Sequence, residues 1–148
     1  MFLELSCRSE YALLAMLELA SNYNSGEAPL HIRQIAALQN IPERYLEQVL
    51  AALRRSGLIV SERGKNGGYL LAREPRHVTL LGIVSCMQGE DVLDLENGVT
   101  LKTVTSFEVL KIWQEAKQAS NAVLEQYTLQ DLLDKRNNRR QPAVMYYI

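Results

Sequence analysis

Two clusters of side chains in this 148-residue chain have the types and spacing to read a nucleic acid. In the first, Arg44, Tyr45, Glu47 and Gln48 fall within one turn and a half of each other, with Arg54 and Arg55 close behind. An arginine fork pairs with guanine O6 and N7, glutamine with adenine N6 and N7, and a carboxylate accepts from cytosine N4. In the second, Arg63, Gly64 and Lys65 are consecutive, so cations flank a residue with no side chain to obstruct approach to a minor groove or to phosphates. Catalysis finds no comparable cluster. His31 and His77 have no Ser, Asp or Cys at the spacing of a nucleophile and its base, which leaves helix capping or a phosphate contact for His31. Cys7 and Cys86 are the only cysteines and lie at no metal-ligand spacing. Both are expected as reduced thiols, Cys86 as a small buried hydrophobe and Cys7 as the more accessible.

The elements needed to present these residues can be followed along the chain. Ser6 or Ser9 caps a first helix through about Ser21, with Leu13, Leu14, Leu17 and Ala20 at helical spacing. After NYNSGEAP, rich in turn formers, HIRQIAALQ predicts a short second helix with Ile32, Ile35, Ala36 and Leu38 inward. Asn40-Ile41-Pro42 breaks it, and ERYLEQVLAALRRSG follows with Leu46, Val49, Leu50 and Leu53 on one stripe until Gly57. Two helices joined by a tight turn make a helix-turn-helix. Rotation from the buried stripe brings Arg44, Gln48, Ala51 and Arg55 to the opposite face, flanked by Tyr45 and Glu47, and the small Ala51 and Ala52 are expected to admit a close approach. A solvated face is the bland alternative for such a helix, and a soluble hairpin turn is the alternative for the cations that follow it.

Beyond Gly57 the period changes. LIVSER and GYLLAR are β-prone runs around Gly64-Lys65-Asn66-Gly67-Gly68, a hairpin in the position of a wing. Thr79 caps a helix from Leu80 to about Gln88, EDVLDLENGVTLKTVTS is an acidic connector, and a helical pattern runs from about Phe107 to Gln126. Its stripe carries Leu110, Trp113, Ala116, Ser120, Val123 and Tyr127. Thr128 caps a last short helix, LQDLLDKR. The resulting organisation is a winged helix-turn-helix domain over 1–89, an acidic connector loop over 90–106, a dimerisation helix and short last helix over 107–136, and a tail over 137–148. The fold class is mainly α.

The runs LSCRSEYAL, IRQIAALQNIPERYLEQVLAALRRSGLI, VSERGKNGGYLLAR and YTLQDLL resemble the IscR-like winged-helix regulators, also called the Rrf-two family, over nearly the whole chain. The resemblance implies base contacts from Tyr45, Glu47 and Gln48, with Arg44 at a neighbouring contact position, a wing contact from Arg63 and Gly64, and a homodimer in which the long helix pairs with its symmetry mate. Packing of that stripe within its own chain is the alternative. Many members of the family hold a [2Fe-2S] cluster on three closely spaced cysteines before the long helix. Here no Cys or His occurs from Gly89 to Ile148, so no cofactor is expected. Glu10 matches a position from which some relatives lend a carboxylate ligand. Without the cysteines it is expected to be a solvent-exposed helix carboxylate.

The net charge of -1 hides an uneven distribution. Residues 42–77 carry seven basic and four acidic side chains, whereas 78–134 carry three basic and nine acidic. A polyanion responds to the local field and not to the total, so Arg54, Arg55, Arg63 and Lys65 mark where phosphates are met. No 18-residue apolar run and no signal-peptide pattern is present, and a cytoplasmic location away from membranes is expected. These features predict a sequence-specific, homodimeric DNA-binding transcriptional regulator that represses from a palindromic operator and answers to an effector protein or small ligand. The competing readings are a winged-helix adaptor that binds protein and not DNA, and a metal- or thiol-sensing regulator of unusual kind. An enzyme lacks any starting constellation.

Overall fold

Ser6 opens the first helix by accepting a hydrogen bond from the Ser9 amide at 3.1 Å, and Gly26 closes it in the left-handed region at φ 65°. The computed structural model describes residues 5–26, 28–65, 67–88 and 104–139. Within them run α1 (Cys7–Ser25), α2 (Ile32–Gln39), α3 (Glu43–Arg55), β1 (Ile59–Glu62), β2 (Gly68–Leu71), a 3-10 turn (Pro75–His77), α4 (80–88), α5 (Val104–Gln126) and α6 (Leu129–Arg139). Helix α1 passes Ser21 and continues through the turn-forming residues because Asn22 is put to another use. Its buried side chain donates to the Ala28 carbonyl at 2.9 Å and ties down the next loop.

Helix α1 is the hub. Its Ala12, Ala15 and Ala20 are fully buried beside Met16 and Leu19, and such small residues let α2, α3 and α6 pack closely against it. From α2 come Ile35 and Ala36, from α3 Leu46, Val49, Leu50 and Leu53, and from the wing Ile59 and Leu71. Two expectations are corrected here. Leu38 points outward, 61% exposed, because Gln39 holds the inward place and donates to the buried Glu18 at 2.6 Å. Ala52 is only 5% exposed and belongs to the core, so Ala51 alone provides a small residue beside the outer face of α3.

The wing is an antiparallel pair in the register Ile59↔Leu71 to Glu62↔Gly68. Leu30, just before α2, extends it by exchanging hydrogen bonds of 3.1 and 2.7 Å with Tyr69. This close pairing requires glycine at 68, where a Cβ would run into the Leu30 carbonyl, and the hairpin turn requires it at 67, where a Cβ would meet the Glu62 carbonyl.

Thr79 caps α4 by accepting from the Gly82 amide at 3.1 Å, and Thr128 and Asp131 form a reciprocal cap on α6 at 3.1 and 2.9 Å. The strand-like pairing of Val78 to Leu80 with Tyr127 to Leu129 brings these two helix starts together. Leu129 and Leu133 then enter the core against α1 and the 3-10 turn. Cys86 is half-buried, with its Sγ 3.2 Å from the Gly82 carbonyl, and Cys7 and Glu10 are exposed. The acidic connector lies outside the described residues up to 103. Its last residues, 104–106, are helical, so α5 starts at Val104, ahead of Phe107. Residues 137–139 continue α6, and 140–148 lie outside the described residues. Among the described residues no helix is long and apolar enough to cross a membrane.

Candidate nucleic-acid interface

Helix α3 is held through its buried stripe, so its other face is fixed in orientation by the core and free to meet a partner. Arg44, Tyr45, Glu47, Gln48, Arg54 and Arg55 are all exposed on it, and Ala51 is half-buried. The Arg44 guanidinium lies 5.9 Å from the centre of the Tyr45 ring, which keeps a cation and an exposed aromatic surface side by side near the start of the helix. Arg33 of α2 reaches Glu43 at 3.9 Å, an exposed pair that adds little to stability. Arg54 and Arg55 occupy the last turn, where cations suit the helix dipole.

The wing begins directly beyond this helix. Arg63, Gly64 and Lys65 are exposed at its turn, where Gly64 adopts φ 114° and its carbonyl accepts from the Gly67 amide at 3.0 Å. Arg54 links the two elements through a long hydrogen bond of 3.4 Å to the Ser61 hydroxyl on β1. An exposed helix rich in polar edge-readers, with a cationic hairpin fixed beside it, has the shape of a recognition helix entering the major groove with a wing alongside. Two further residues line this surface: His31, read from the sequence as a helix cap or a phosphate contact, and Glu62, which gave no distinctive sequence signal. His31 caps α2 through its imidazole Nδ1, which accepts from the Arg33 amide at 3.3 Å, and Glu62 ends β1 beside Arg63. Both border the space between α2 and the wing.

The second predicted surface is α5, which buries no residue within its own chain. Along the predicted stripe Trp113, Ala116, Val123 and Tyr127 are exposed, while Leu110 and Ser120 are half-buried. Val109 and Ile112 are 57% and 62% exposed and were not in that stripe. The spacing of Val109, Ile112, Ala116, Ala119 and Val123 alternates by three and four residues, the signal that could have found them.

Comparison with known proteins bears directly on this geometry. The Rrf2 family model, described as an iron-dependent transcriptional regulator, matches residues 5–135. The HTH-type transcriptional regulator CymR of Bacillus subtilis is 34% identical over 148 residues, covering 99% of this chain and 100% of that protein. Its structure, described as that of the global cysteine regulator of B. subtilis, superposes with a TM-score of 0.73 at 33% identity over 90% of this chain and 98% of that one. T. potens IscR superposes with a TM-score of 0.72 at 34% identity, covering 90% of this chain and 88% of that one. The exposed third helix, the wing beside it and these likenesses agree: the chain belongs to the Rrf2 family of winged helix-turn-helix, DNA-binding transcriptional regulators.

Proposed function

We propose that this chain acts as a homodimeric repressor that reads a palindromic operator with α3 and its wing. The observation that carries the reading is the joint exposure of Arg44, Tyr45, Glu47 and Gln48 on a helix whose opposite face is fully packed. Arg44 and Gln48 have the donors for guanine and adenine, Glu47 accepts from cytosine, and Tyr45 offers an edge and a ring to the groove. Arg54, Arg55, Arg63 and Lys65 supply the phosphate contacts, with Gly64 allowing the wing close to the backbone.

Two copies are required for a palindrome, and the exposed apolar face of α5 supports pairing with a second α5. Leu110, Trp113, Ala116, Ser120, Val123 and Tyr127, together with Val109 and Ile112, would form that seam. Apolar side chains this exposed on one helix call for a cover. A dimer seated over a promoter blocks polymerase without further machinery.

We further infer that the regulator works without an iron-sulfur cluster. The donor set does not fit one. Such clusters are held chiefly by thiolates, with histidine or a carboxylate as an occasional substitute, and two thiols are too few for the rest. The chain has only Cys7, exposed at the start of α1, and Cys86, half-buried in α4 and bonded to its own helix.

Selection of bound fragments from a random DNA pool, followed by affinity measurement across ionic strength, tests the function. A palindromic consensus with half-sites about one helical turn apart, and affinity that falls steeply with salt, is expected. Retention of all sequences alike, or no DNA at all, refutes it.

A further inference from the structure

Between the start of α2 and the turn end of the wing lies an open groove of about 300 Å³, bordered by His31, Arg54, Ser61, Glu62, Arg63 and Tyr69 and by the wing glycines. Gly67 and Gly68, where a Cβ would run into the Glu62 and Leu30 carbonyls, line it with backbone alone. Arg54 is held across it from α3 by the Ser61 hydroxyl. His31 is committed on two sides: its Nδ1 accepts from the Arg33 amide at 3.3 Å, and its own backbone N–H donates to the Gln34 side chain at 2.7 Å. What the imidazole still has to offer is the N–H of Nε2. The groove therefore gathers donors from three elements around one carboxylate.

Its charge narrows the ligand. Two guanidiniums against Glu62 leave a single positive charge, counting histidine as neutral at pH 7. A phosphodiester carries one negative charge, so it is matched where a doubly charged free phosphate would be left partly uncompensated. The groove is also open, as it must be for a group that belongs to a continuous strand. We propose that it seats one phosphodiester of the bound DNA, with His31 and Arg54 as its donors, and so fixes the register of α3 in the major groove. The proposal rests on the DNA-binding reading of α3 and the wing, and it adds α2 to the interface.

The test uses the full-length protein and a duplex carrying its selected operator, with affinity measured across salt for wild type, His31→Asn, Arg54→Gln and Glu62→Gln. Asparagine is a strong helix cap, so His31→Asn keeps α2 closed while removing the imidazole donor; an unchanged melting temperature verifies this. His31→Asn and Arg54→Gln should each weaken binding roughly tenfold on operator and unrelated DNA alike. Arg54→Gln should also flatten the salt slope by about one. Glu62→Gln should tighten binding by about threefold, an effect of opposite sign that lost structure could not produce. A duplex with one phosphate at a time replaced by methylphosphonate should reveal a single position where wild type loses affinity and His31→Asn loses no more. If wild type binds DNA and the variants match it in affinity and slope, the groove assignment falls while the DNA reading stands. If wild type fails to bind DNA, both fall. If inorganic phosphate at constant ionic strength displaces the operator through this groove, the ligand is a free anion and the backbone assignment is overturned.

Discussion

Arg136 of α6 joins the C-terminal arm to the DNA-reading domain, and replacing it by methionine tests that role. Its NH1 lies 2.7 Å from Glu18 Oε1, and the same oxygen accepts from Gln39 of α2 at 2.6 Å. The two charged side chains are 14% and 10% exposed, so solvent screens them little. Removing one partner of a buried pair typically costs about 3–5 kcal/mol, because the other charge is left uncompensated. Gln39 remains on Glu18 and relieves part of this, which places the expected loss for Arg136→Met at about 3 kcal/mol. In a chain of this size each kcal/mol moves the melting temperature by about 2–4 °C, so a drop of roughly 6–12 °C should be seen. The companion is Glu18→Leu with Arg136→Met. Replacing both charges by apolar groups is often neutral, and the Arg136 Nε is buried without a partner, which makes the native pair an incompletely compensated one. Gln39, which is only half-buried, then turns its amide to water, so the double variant should recover to within about 1 kcal/mol of wild type. Urea unfolding at several protein concentrations separates this from any change in association. A loss under about 1 kcal/mol for Arg136→Met, or a double variant as weak as the sum of the single ones, would refute the coupling.

Gln48→Ala and Tyr45→Ala should each cost about 1–3 kcal/mol on the operator while sparing non-specific affinity, read by competition between operator and unrelated duplexes; uniform weakening would remove them from base contact. Ala116→Arg leaves the isolated fold intact, since Ala116 is exposed there, but buries a charge in the α5 seam. Sedimentation should show monomers after a rise in the dimer Kd of at least about two decades, and an intact dimer would move the interface elsewhere. Gly68→Ala drives a Cβ into the Leu30 carbonyl and breaks the paired hydrogen bonds to Tyr69, which should cost about 2 kcal/mol in unfolding experiments and more in DNA affinity. Protein purified without oxygen should be colourless and free of stoichiometric iron and sulfide; a visible band lost on Cys7→Ala or Cys86→Ala would overturn the cluster-free reading.

The parts of the molecule that local periodicity controls were legible in the sequence. The apolar stripe of α3 determines which residues must turn outward, so Arg44 and Gln48 could be placed on the outer face without knowing what the inner face touches. Caps at Ser6, Thr79 and Thr128 act over three or four residues and were equally readable. Leu38 and Ala52 were misread for one reason. A short helix offers few positions, and whether Leu38 or Gln39 faces inward is decided by Glu18 on another helix. For Ala52, a residue small enough to admit a partner is also small enough to be buried.

The same distinction explains why the C-terminal half resisted reading. On α5 two neighbouring stripes have seam-like spacing, one through Val109, Ile112 and Ala116, the other through Trp113, Ser120 and Tyr127. Both stripes are largely outward, and which of them meets a partner depends on how the chain returns to its own domain. That return is made by α6, through Leu129, Leu133 and an ion pair whose members are 118 residues apart. No window of sequence contains both Glu18 and Arg136, and each alone resembles an ordinary charge on a solvated helix face. Their meeting also ties the two proposed functions together. Glu18 bonds to Gln39 at the end of α2, one residue before the left-handed Asn40 that sets the direction of α3. Arg136 follows α5 on the arm that is proposed to pair with a second copy. In the proposed dimer this buried contact between distant residues would lie between the α5 seam and the recognition helix, so half-site spacing would be set by tertiary structure and not by the reading residues of α3 alone.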